Sequence, residues 1–282
     1  MKKGIVLTLA LTFLAILLCA ATQTDLQKKK LKGRVYKITD NSEITYFNEA
    51  GNLDCVSYDD GTYWGDIYYT YNDKGQLTMY EDEDYDEGFV GGTYYTYDEK
   101  GQLIREKSED WLSDDNVTYS YNDKGQKTWE KEYDTNDKLR NAVEYTYDKQ
   151  GNVSKESKYD RDMKLTKYSE MVYDKNKNKV ECRKYLAPNT LESKTVSKYN
   201  ALNQLIEESG YLQNSLTYTR KLSYDVQGNE TEDTHFDAKT NKTIKTTYKY
   251  TYDSHGNWTS KEKIIDGQHD YTVTRSIEYF ED

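Results

Sequence analysis

The residues of this chain that could do chemistry are three histidines, a short acidic run and a spaced series of carboxylates. His235, His255 and His269 have no cysteine or second histidine at a metal-ligand spacing. His255 stands where related segments of the chain carry a turn lysine, which predicts a solvated corner. Because the sequence also lacks a nucleophile elbow, a phosphate loop and a zinc-binding helix, it predicts no catalytic residue and no cofactor.

The acidic run at residues 81–88 contains the pattern that comes nearest to a metal site. Asp82, Asp84 and Asp86 alternate as in a calcium-binding loop, where carboxylates supply the oxygen ligands. The glycine of such a loop comes one residue late here, however, and a threonine replaces its bidentate glutamate. We therefore expect a charged hairpin end with no bound metal, and these three aspartates are only weak calcium candidates.

A second series of carboxylates recurs at one position, five residues after a repeated glycine position. Its members are Glu106, Glu130, Glu156, Glu208 and Asp233. Paired carboxylates that cleave glycosidic bonds need one fixed separation within one pocket. A regular ladder does not create such a pair, so it predicts a solvated row that pairs with lysines.

Aromatic residues outside the repeat frame are the candidates for ligand binding. Tyr63 and Trp64 precede a glycine, and Trp111 follows an aspartate, so each could stack on a sugar ring or a partner protein. The other reading, in which they cover a loop or a sheet end, stays open. Trp129 and Trp258 fall on expected strands, where we predict that they pack.

The elements that must position these residues are copies of one short motif, best seen at residues 95–103 (YTYDEKGQL). Two aromatics one residue apart lie on the same face of a strand, because side chains alternate across it. The aspartate ends the strand with an Asx-turn, and the glycine supplies the positive φ that a type I turn with a bulge requires. Each copy therefore predicts a β-hairpin.

The tyrosine before the turn, or its phenylalanine substitute, recurs at intervals of 24 to 28 residues. It falls at Phe47, Tyr71, Tyr97, Tyr121, Tyr147, Tyr173, Tyr199, Tyr224, Tyr252 and Tyr279. The turn glycine follows at Gly51, Gly75, Gly101, Gly125, Gly151, Gly228 and Gly256, with Lys177 and Asn203 in its place in two copies. Gly65 lies outside this position, so no penalty from positive φ is predicted for a side chain there.

A second, weaker corner midway divides each repeat into two strands, so the sequence predicts an antiparallel meander of about 19 strands. Open sheets of more than about 10 strands curl, because neighbouring strands rotate by about −20 to −25°. We therefore expect an all-β domain over residues 34–282, coiled into a spiral or half-barrel. The 30 tyrosines suit a thin curved sheet, since their rings can be buried while their hydroxyls reach water. No helix is expected outside the first 21 residues, because no 3.6-residue apolar period is visible.

Residues 1–21 resemble a secretory signal peptide, with two lysines before the apolar run at 5–18. The run has 14 residues, too few for a membrane span and typical of an h-region. Cleavage after it predicts soluble export to the periplasm or outside the cell, and a lipid anchor on Cys19 is the alternative. Residues 22–33 are rich in lysine and are predicted to form a polar tether.

The composition disfavours nucleic acid as a partner. Loss of Lys2 and Lys3 with the signal peptide would change the formal net charge from −11 to −13, whereas nucleic-acid affinity depends on cation–phosphate contacts. The remaining cysteines, Cys55 and Cys182, lie five repeats apart, so we expect no disulfide although export would permit one.

The Tyr-x-Tyr-Asp-x-x-Gly core resembles the YD repeat of the RHS family, found in bacterial RHS and toxin-complex proteins and in animal teneurins. The resemblance covers nearly all of residues 34–282 and implies a β-sheet shell, which the large relatives coil around a toxic C-terminal domain. This chain departs from them, because its sequence shows neither that effector nor the protease-like core that ends the large shells. It is similar to a short, exported, stand-alone form, for which no biochemical role follows from the resemblance.

From these features we expect a non-enzymatic, exported β-repeat protein that presents an extended surface for binding a protein or glycan of the cell envelope or surroundings. The alternative is a structural or assembly component of the envelope with no small ligand. We expect a monomer whose mature chain has no transmembrane segment.

Overall fold

The computed structural model describes residues 23–40, 43–59, 64–86, 88–110 and 114–281. In that part of the chain, helix α1 (Asp25–Lys28) precedes twenty strands. The strands are β1 Val35–Asp40, β2 Glu43–Phe47, β3 Leu53–Asp59, β4 Trp64–Tyr71, β5 Leu77–Asp84, β6 Gly88–Tyr97, β7 Leu103–Asp110, β8 Asp114–Tyr121, β9 Lys127–Tyr133, β10 Leu139–Tyr147, β11 Val153–Tyr159, β12 Leu165–Tyr173, β13 Lys179–Leu186, β14 Thr190–Tyr199, β15 Leu205–Leu212, β16 Ser215–Tyr224, β17 Glu230–Asp237, β18 Lys242–Tyr252, β19 Trp258–Ile265 and β20 Gln268–Tyr279. The predicted signal peptide and Cys19 lie outside the described residues.

Consecutive strands pair antiparallel along the whole meander, and β20 also pairs antiparallel with β1. The twenty described strands therefore close into a β-barrel. The predicted all-β antiparallel meander is confirmed. The predicted spiral or half-barrel is wrong, because a twentieth strand, β1, joins the two ends of the sheet.

The ring closes because the two ends of the chain share one repeat. In a complete repeat the tyrosine before the turn pairs across a bulge with the first residue of the returning strand, as Tyr147 does with Val153. Tyr279 pairs with Val35 in the same way, again beside a register shift. Strand β1 thus serves as the returning strand of the tenth repeat.

The turn before β1 reproduces the same geometry with residues from both ends of the chain. Gly33 has φ +81°, as Gly151 has φ +86° in its own turn. The Phe280 N–H donates to the Arg34 carbonyl at 2.9 Å. In other repeats the corresponding hydrogen bond runs from the residue after the tyrosine to the residue after the glycine, as from Asp148 to Asn152. The tenth hairpin is therefore complete in geometry although its peptide chain is interrupted.

The segment predicted to be a polar tether docks against the barrel. Thr24 and Gln27 form a capping box, in which each side chain accepts a hydrogen bond from the other residue's backbone N–H at 3.3 and 3.1 Å. Leu26 is buried in a cluster with Val35, Ile38 and Phe47. Four helical residues are too few for an apolar period, which is why the sequence predicts no helix here. Within the described residues, no helix has the length and apolar character needed to cross a membrane.

All seven turn glycines have positive φ, between +72° and +87°. In a representative turn, the Gly101 N–H donates to the Asp98 carbonyl at 2.9 Å, and the Asp98 carboxylate accepts from the Gln102 N–H at 2.8 Å. Gly65 has no positive φ, but a side chain there carries a steric penalty that the sequence does not predict. A Cβ there would lie 2.1 Å from the Glu83 carbonyl oxygen on the neighbouring strand.

Alternate residues of each strand form an inner wall and an outer wall. On β18, Tyr248, Tyr250 and Tyr252 are half-buried, whereas Lys249 and Thr251 between them are exposed. The tyrosine face is the more crowded of the two and α1 packs on it as well, so we assign it to the concave, inner side of the barrel. Side chains of a barrel wall this wide do not fill its interior. Consistent with that, only eight hydrophobic residues are buried in the described chain, half of them around α1 and β1.

Candidate functional site

The tyrosines that precede the turns have a structural task. The hydroxyls of Tyr97 and Tyr121 each donate, at 2.7 Å, to the carbonyl of Leu77 or Leu103 at the start of a strand in the preceding repeat. In the opposite direction, the Gln76 side chain donates to the Gly101 carbonyl at 2.8 Å. These two bonds tie each repeat to the next, so the turn tyrosines are engaged by the wall itself.

The tyrosines two residues earlier face the interior and create the most regular surface of the barrel. Together with the carboxylate series they provide one residue on each of eight consecutive strands, β4 to β11. We call this set the inner belt; it consists of Tyr69, Tyr80, Tyr95, Glu106, Tyr119, Glu130, Tyr145 and Glu156. All eight are half-buried, which leaves part of each side chain accessible from the interior.

The first part of the belt is aromatic. Tyr69 and Tyr80 are direct cross-strand partners with ring centroids 6.3 Å apart, and Tyr95 lies 6.5 Å further on. The rings are tilted by about 40° to one another (39° and 44°), so their faces are not closed by tight stacking. This arrangement leaves ring surface available to a flat apolar group.

The second part of the belt alternates tyrosine with glutamate. The Tyr119 hydroxyl donates to the Glu106 carboxylate at 2.8 Å, and the Tyr145 hydroxyl donates to Glu130 at 3.2 Å. Lys127 binds Glu130 at 2.7 Å and lies over the rings of Tyr119 and Tyr145, with its ammonium 5.1 and 4.7 Å from their centroids. The carboxylate row therefore faces the interior beside the tyrosines, and Glu130 also has the predicted lysine partner.

Burial disfavours ionisation of three tyrosine hydroxyls of the belt, those of Tyr95, Tyr119 and Tyr145. It raises the pKa of Tyr95 to about 12, with a further contribution from the negative charge of Glu106. The pKa values of Tyr119 and Tyr145 are also raised, first by burial and then by their glutamate neighbours. Because the Tyr119 and Tyr145 hydroxyls donate to glutamates of the belt, this part of the belt offers a ligand ring faces and the remaining acceptor positions of the carboxylates.

The two remaining carboxylates of the series lie in a separate network on β15 to β17. Arg220 donates to Asp233 at 2.8 Å, and the Tyr218 hydroxyl donates to Glu208 at 2.7 Å. The Tyr218 ring stacks on His235 with centroids 5.5 Å apart. These contacts link three adjacent strands of the wall, although the second Asp233 carboxylate oxygen is buried without a hydrogen-bond partner among the described residues.

The other two histidines have local partners. His255 lies in a turn, as predicted, where its ring stacks on Tyr279 at 4.0 Å. The His269 ring lies 3.0 Å from the Thr272 hydroxyl near the start of β20. No group of three or more histidine, cysteine, aspartate or glutamate side chains that could hold a metal occurs among the described residues.

The calcium candidates do not converge on one point. The hydroxyl of Tyr58 donates to Asp82 at 2.7 Å, and the Asp86 N–H donates to Asp84 at 2.8 Å. Asp82 and Asp84 belong to β5, whereas Asp86 lies in the turn that follows. Their hydrogen bonds are those of a hairpin end.

Of the predicted aromatic sites, the structure describes only Trp64. Its side chain lies on the outer wall, is 54 % exposed, and meets Tyr85 edge-to-face at 4.7 Å. Tyr63 and Trp111 lie outside the described residues. Both described cysteines, Cys55 and Cys182, are free thiols.

Sequence reasoning found the glutamate series but not its place beside the tyrosines. The missing signal was the register of a hairpin that closes with a bulge. In that register Tyr95 stands opposite Glu106, which comes five residues after Gly101. The sequence shows the regular spacing from glycine to glutamate. Pairing the strands with a bulge after each turn then places the glutamate opposite the tyrosine.

No protein-family model matches this sequence, and no curated protein matches it. Among solved structures, the chain is similar to a crystal structure of TcdB2-TccC3-Cdc42, with a TM-score of 0.44 and 16 % identity over 78 % of this chain and 14 % of that chain. It is also similar to TcdB2-TccC3 (TM-score 0.43, 17 % identity, 86 % and 16 % covered) and to a porin-like protein from Bacteroides uniformis ATCC 8492 (0.39, 14 %, 88 % and 98 %). This chain spans about one seventh of the TcdB2-TccC3 chains. At these TM-scores the similarity shows neither a family nor a function.

Proposed function

We propose that this chain is an exported, non-enzymatic binding protein that holds a glycan or protein segment of the cell envelope against the inner belt. The observation that supports it is the row of half-buried tyrosine rings and carboxylates on eight consecutive strands, in which the two kinds of residue alternate from β6 to β11. Export rests on the resemblance of residues 1–21 to a signal peptide, and membership of the RHS family rests on the Tyr-x-Tyr-Asp-x-x-Gly motif.

The chemistry of the belt suits a glycan best. A sugar ring has an apolar C–H face, which packs on aromatic rings, and hydroxyl groups, which donate to carboxylates. Tyr95, Tyr119 and Tyr145 lie on every second strand, each displaced by two residues along the strand from the one before. With strand spacings of roughly 4.8 Å and a rise of roughly 3.4 Å per residue, these tyrosines repeat at about 12 Å. A surface that repeats at a fixed interval favours a ligand that also repeats.

The structural alternative is less well supported. A component that assembles by adding strands to its sheet needs a free edge with unpaired backbone groups. Every strand in the described chain pairs on both sides, because β1 and β20 pair with each other. Assembly through an edge would therefore require the ring to open.

Two adjacent tyrosines provide a matched test. Tyr95 faces the interior and Tyr94 faces outward on the same strand, opposite Lys107. On a glycan array, Tyr95→Ala should lose most of the binding that the full-length chain shows, whereas Tyr94→Ala should retain it. Circular dichroism melts of both variants report whether the fold is intact.

Loss of binding in Tyr94→Ala alone would assign the ligand to the outer wall and contradict the proposal. Equal binding by both variants and the parent chain would exclude the inner belt. Absence of any glycan or envelope protein that binds the parent chain would favour the structural alternative.

A further inference from the structure

Three lysines meet on the inner wall at β11 to β13, next to the end of the inner belt. Lys158 and Lys167 are direct cross-strand partners. Lys184 stands opposite Ser169, two residues along β12 from Lys167. Lys158 also stands opposite the inward-facing Val143, so the three side chains face the interior. We call Lys158, Lys167 and Lys184 the lysine cluster.

This pairing differs from most pairings of cations on the outer wall. There, Lys198 binds the opposite Glu207 at 2.8 Å, and Lys249 binds the opposite Glu262 at 3.3 Å. Arg183 and Lys194 do stand opposite each other on the outer wall, but Arg183 binds Glu181 at 2.7 Å and the Lys194 ammonium lies over the Tyr211 ring. Like charges directly opposite each other on a sheet are destabilising. Folding alone therefore does not explain why two lysines face each other on the inner wall.

The cluster is also poorly neutralised by the protein. Lys158 has one partner, Glu156 of the inner belt, at 3.4 Å. Within the described residues, no carboxylate oxygen lies within 4.0 Å of the Lys167 or Lys184 ammonium group. Positive charge thus accumulates locally in a chain whose formal net charge is −11.

The three lysines line a cavity of about 340 Å³. Ser169, Met171 and Cys182 form part of the same lining. A fourth lysine, Lys179, and two carboxylates, Glu156 and Glu192, also line the cavity, so its four ammonium groups outnumber its carboxylates. Its size is at the lower end of the roughly 300–1,000 Å³ of small-molecule sites. A sugar-sized group with one charged substituent fits this volume.

We propose that the lysine cluster binds the phosphate or sulfate ester group of an anionic sugar. Several ammonium groups around one point attract a dianion more strongly than a monoanion, and lysine binds phosphate as a point charge. Glu156 belongs to both the cavity lining and the inner belt, so one ligand can contact both. This proposal rests on the proposed glycan binding, and it specifies in addition that the glycan is anionic.

The test uses isothermal titration of the full-length chain with glucose 6-phosphate, glucose 6-sulfate and glucose. The inner double variant Lys158→Gln/Lys167→Gln is compared with the outer double variant Lys198→Gln/Lys249→Gln, which removes the same charge. The inner variant should bind both esters at least about tenfold more weakly, the usual effect of losing a charge-assisted contact. The outer variant should bind as the parent chain does, and glucose should bind more weakly than either ester.

If the two double variants bind the esters equally weakly, the attraction is a diffuse effect of charge and the proposal is overturned. The absence of saturable ester binding by the parent chain would also overturn it. A ratio of affinities for the two esters identifies the preferred oxyanion. Folding is checked with Lys167→Gln, which should keep or raise the melting temperature because it removes a repulsion. Retained Tyr95-dependent glycan binding without ester binding would refute the lysine cluster alone and leave the proposed function standing.

Discussion

Replacement of Val35 by alanine tests the closure of the barrel. Val35 is fully buried, at 0 % exposure, in the cluster with Leu26, Ile38 and Phe47 at the junction of β1 and β20. The substitution removes two carbon groups worth about 0.8 kcal/mol each and leaves a small cavity. We expect the free energy of unfolding to fall by about 2–3 kcal/mol.

The control is Val172→Ala on the outer wall, where the side chain is 50 % exposed and the expected loss is within about 0.5 kcal/mol. Urea titration gives both free energies. Hydrogen exchange should then show that amides of β1 and β20 lose protection first in Val35→Ala, because the cavity lies between these strands. A loss no greater than in Val172→Ala, or faster exchange spread evenly over all repeats, would refute closure through β1 and β20.

Two further predictions concern the turns. Lys177→Gly should raise the free energy of unfolding by about 0.5–1 kcal/mol in urea titrations, because Lys177 has φ +66° at a turn glycine position. Lys175→Gly removes the same charge from the same turn without relieving a positive φ, so any gain there would contradict this explanation. Asp148→Asn should raise the pH midpoint of acid unfolding followed by circular dichroism, because the variant lacks the stabilisation that the ionised carboxylate gives the parent chain. Hydrogen bonds from the Asn152 side chain and backbone lower the pKa of Asp148, so its stabilisation is present above the unfolded value of about 3.9 and is lost as the pH falls through the folded pKa. Asp123→Asn is the control, since the Asp123 carboxylate makes no hydrogen bond to the described residues; an equal shift there would refute the assignment.

The hairpins could be predicted because their turns are encoded locally. An aspartate that accepts backbone hydrogen bonds and a residue with positive φ lie within five positions of each other, as Asp98 and Gly101 do. Such a turn does not depend on contacts with residues that are distant in the sequence. The same logic found the weaker corners, where Asp137 and Met163 adopt positive φ without being glycine.

Closure could not be predicted in the same way, because it joins Val35 to Tyr279 across nearly the whole chain. Strand twist argues that a long sheet curls, but it does not say whether the ends meet in register. A local signal did exist. Gly33 and Val35 repeat the spacing of turn glycine and first strand residue, without the Tyr-x-Tyr-Asp half that normally precedes them.

The inner belt illustrates a different limit. Strand alternation placed the tyrosines on one face, and the repeat placed the glutamates at one interval, but their contact depends on the bulge after each turn. The sequence also does not show that the backbones of β4 and β5 approach closely at Gly65, where the Glu83 carbonyl excludes a side chain. Such contacts are properties of pairing between strands and not of any single segment.

Closure also explains where this protein concentrates its core. In an open array each repeat contacts only its neighbours, and the terminal repeats would expose two sheet edges. Here the largest fully buried side chains are those of Phe47 and Val35. They lie near the junction of β1 and β20, the only pair of neighbouring strands in the described ring that is not consecutive along the chain. Packing must replace the missing peptide connection at that point. Because closure fixes the curvature of the wall, the rings and carboxylates of the inner belt are held at their spacing before a ligand arrives, which reduces the entropy lost on binding.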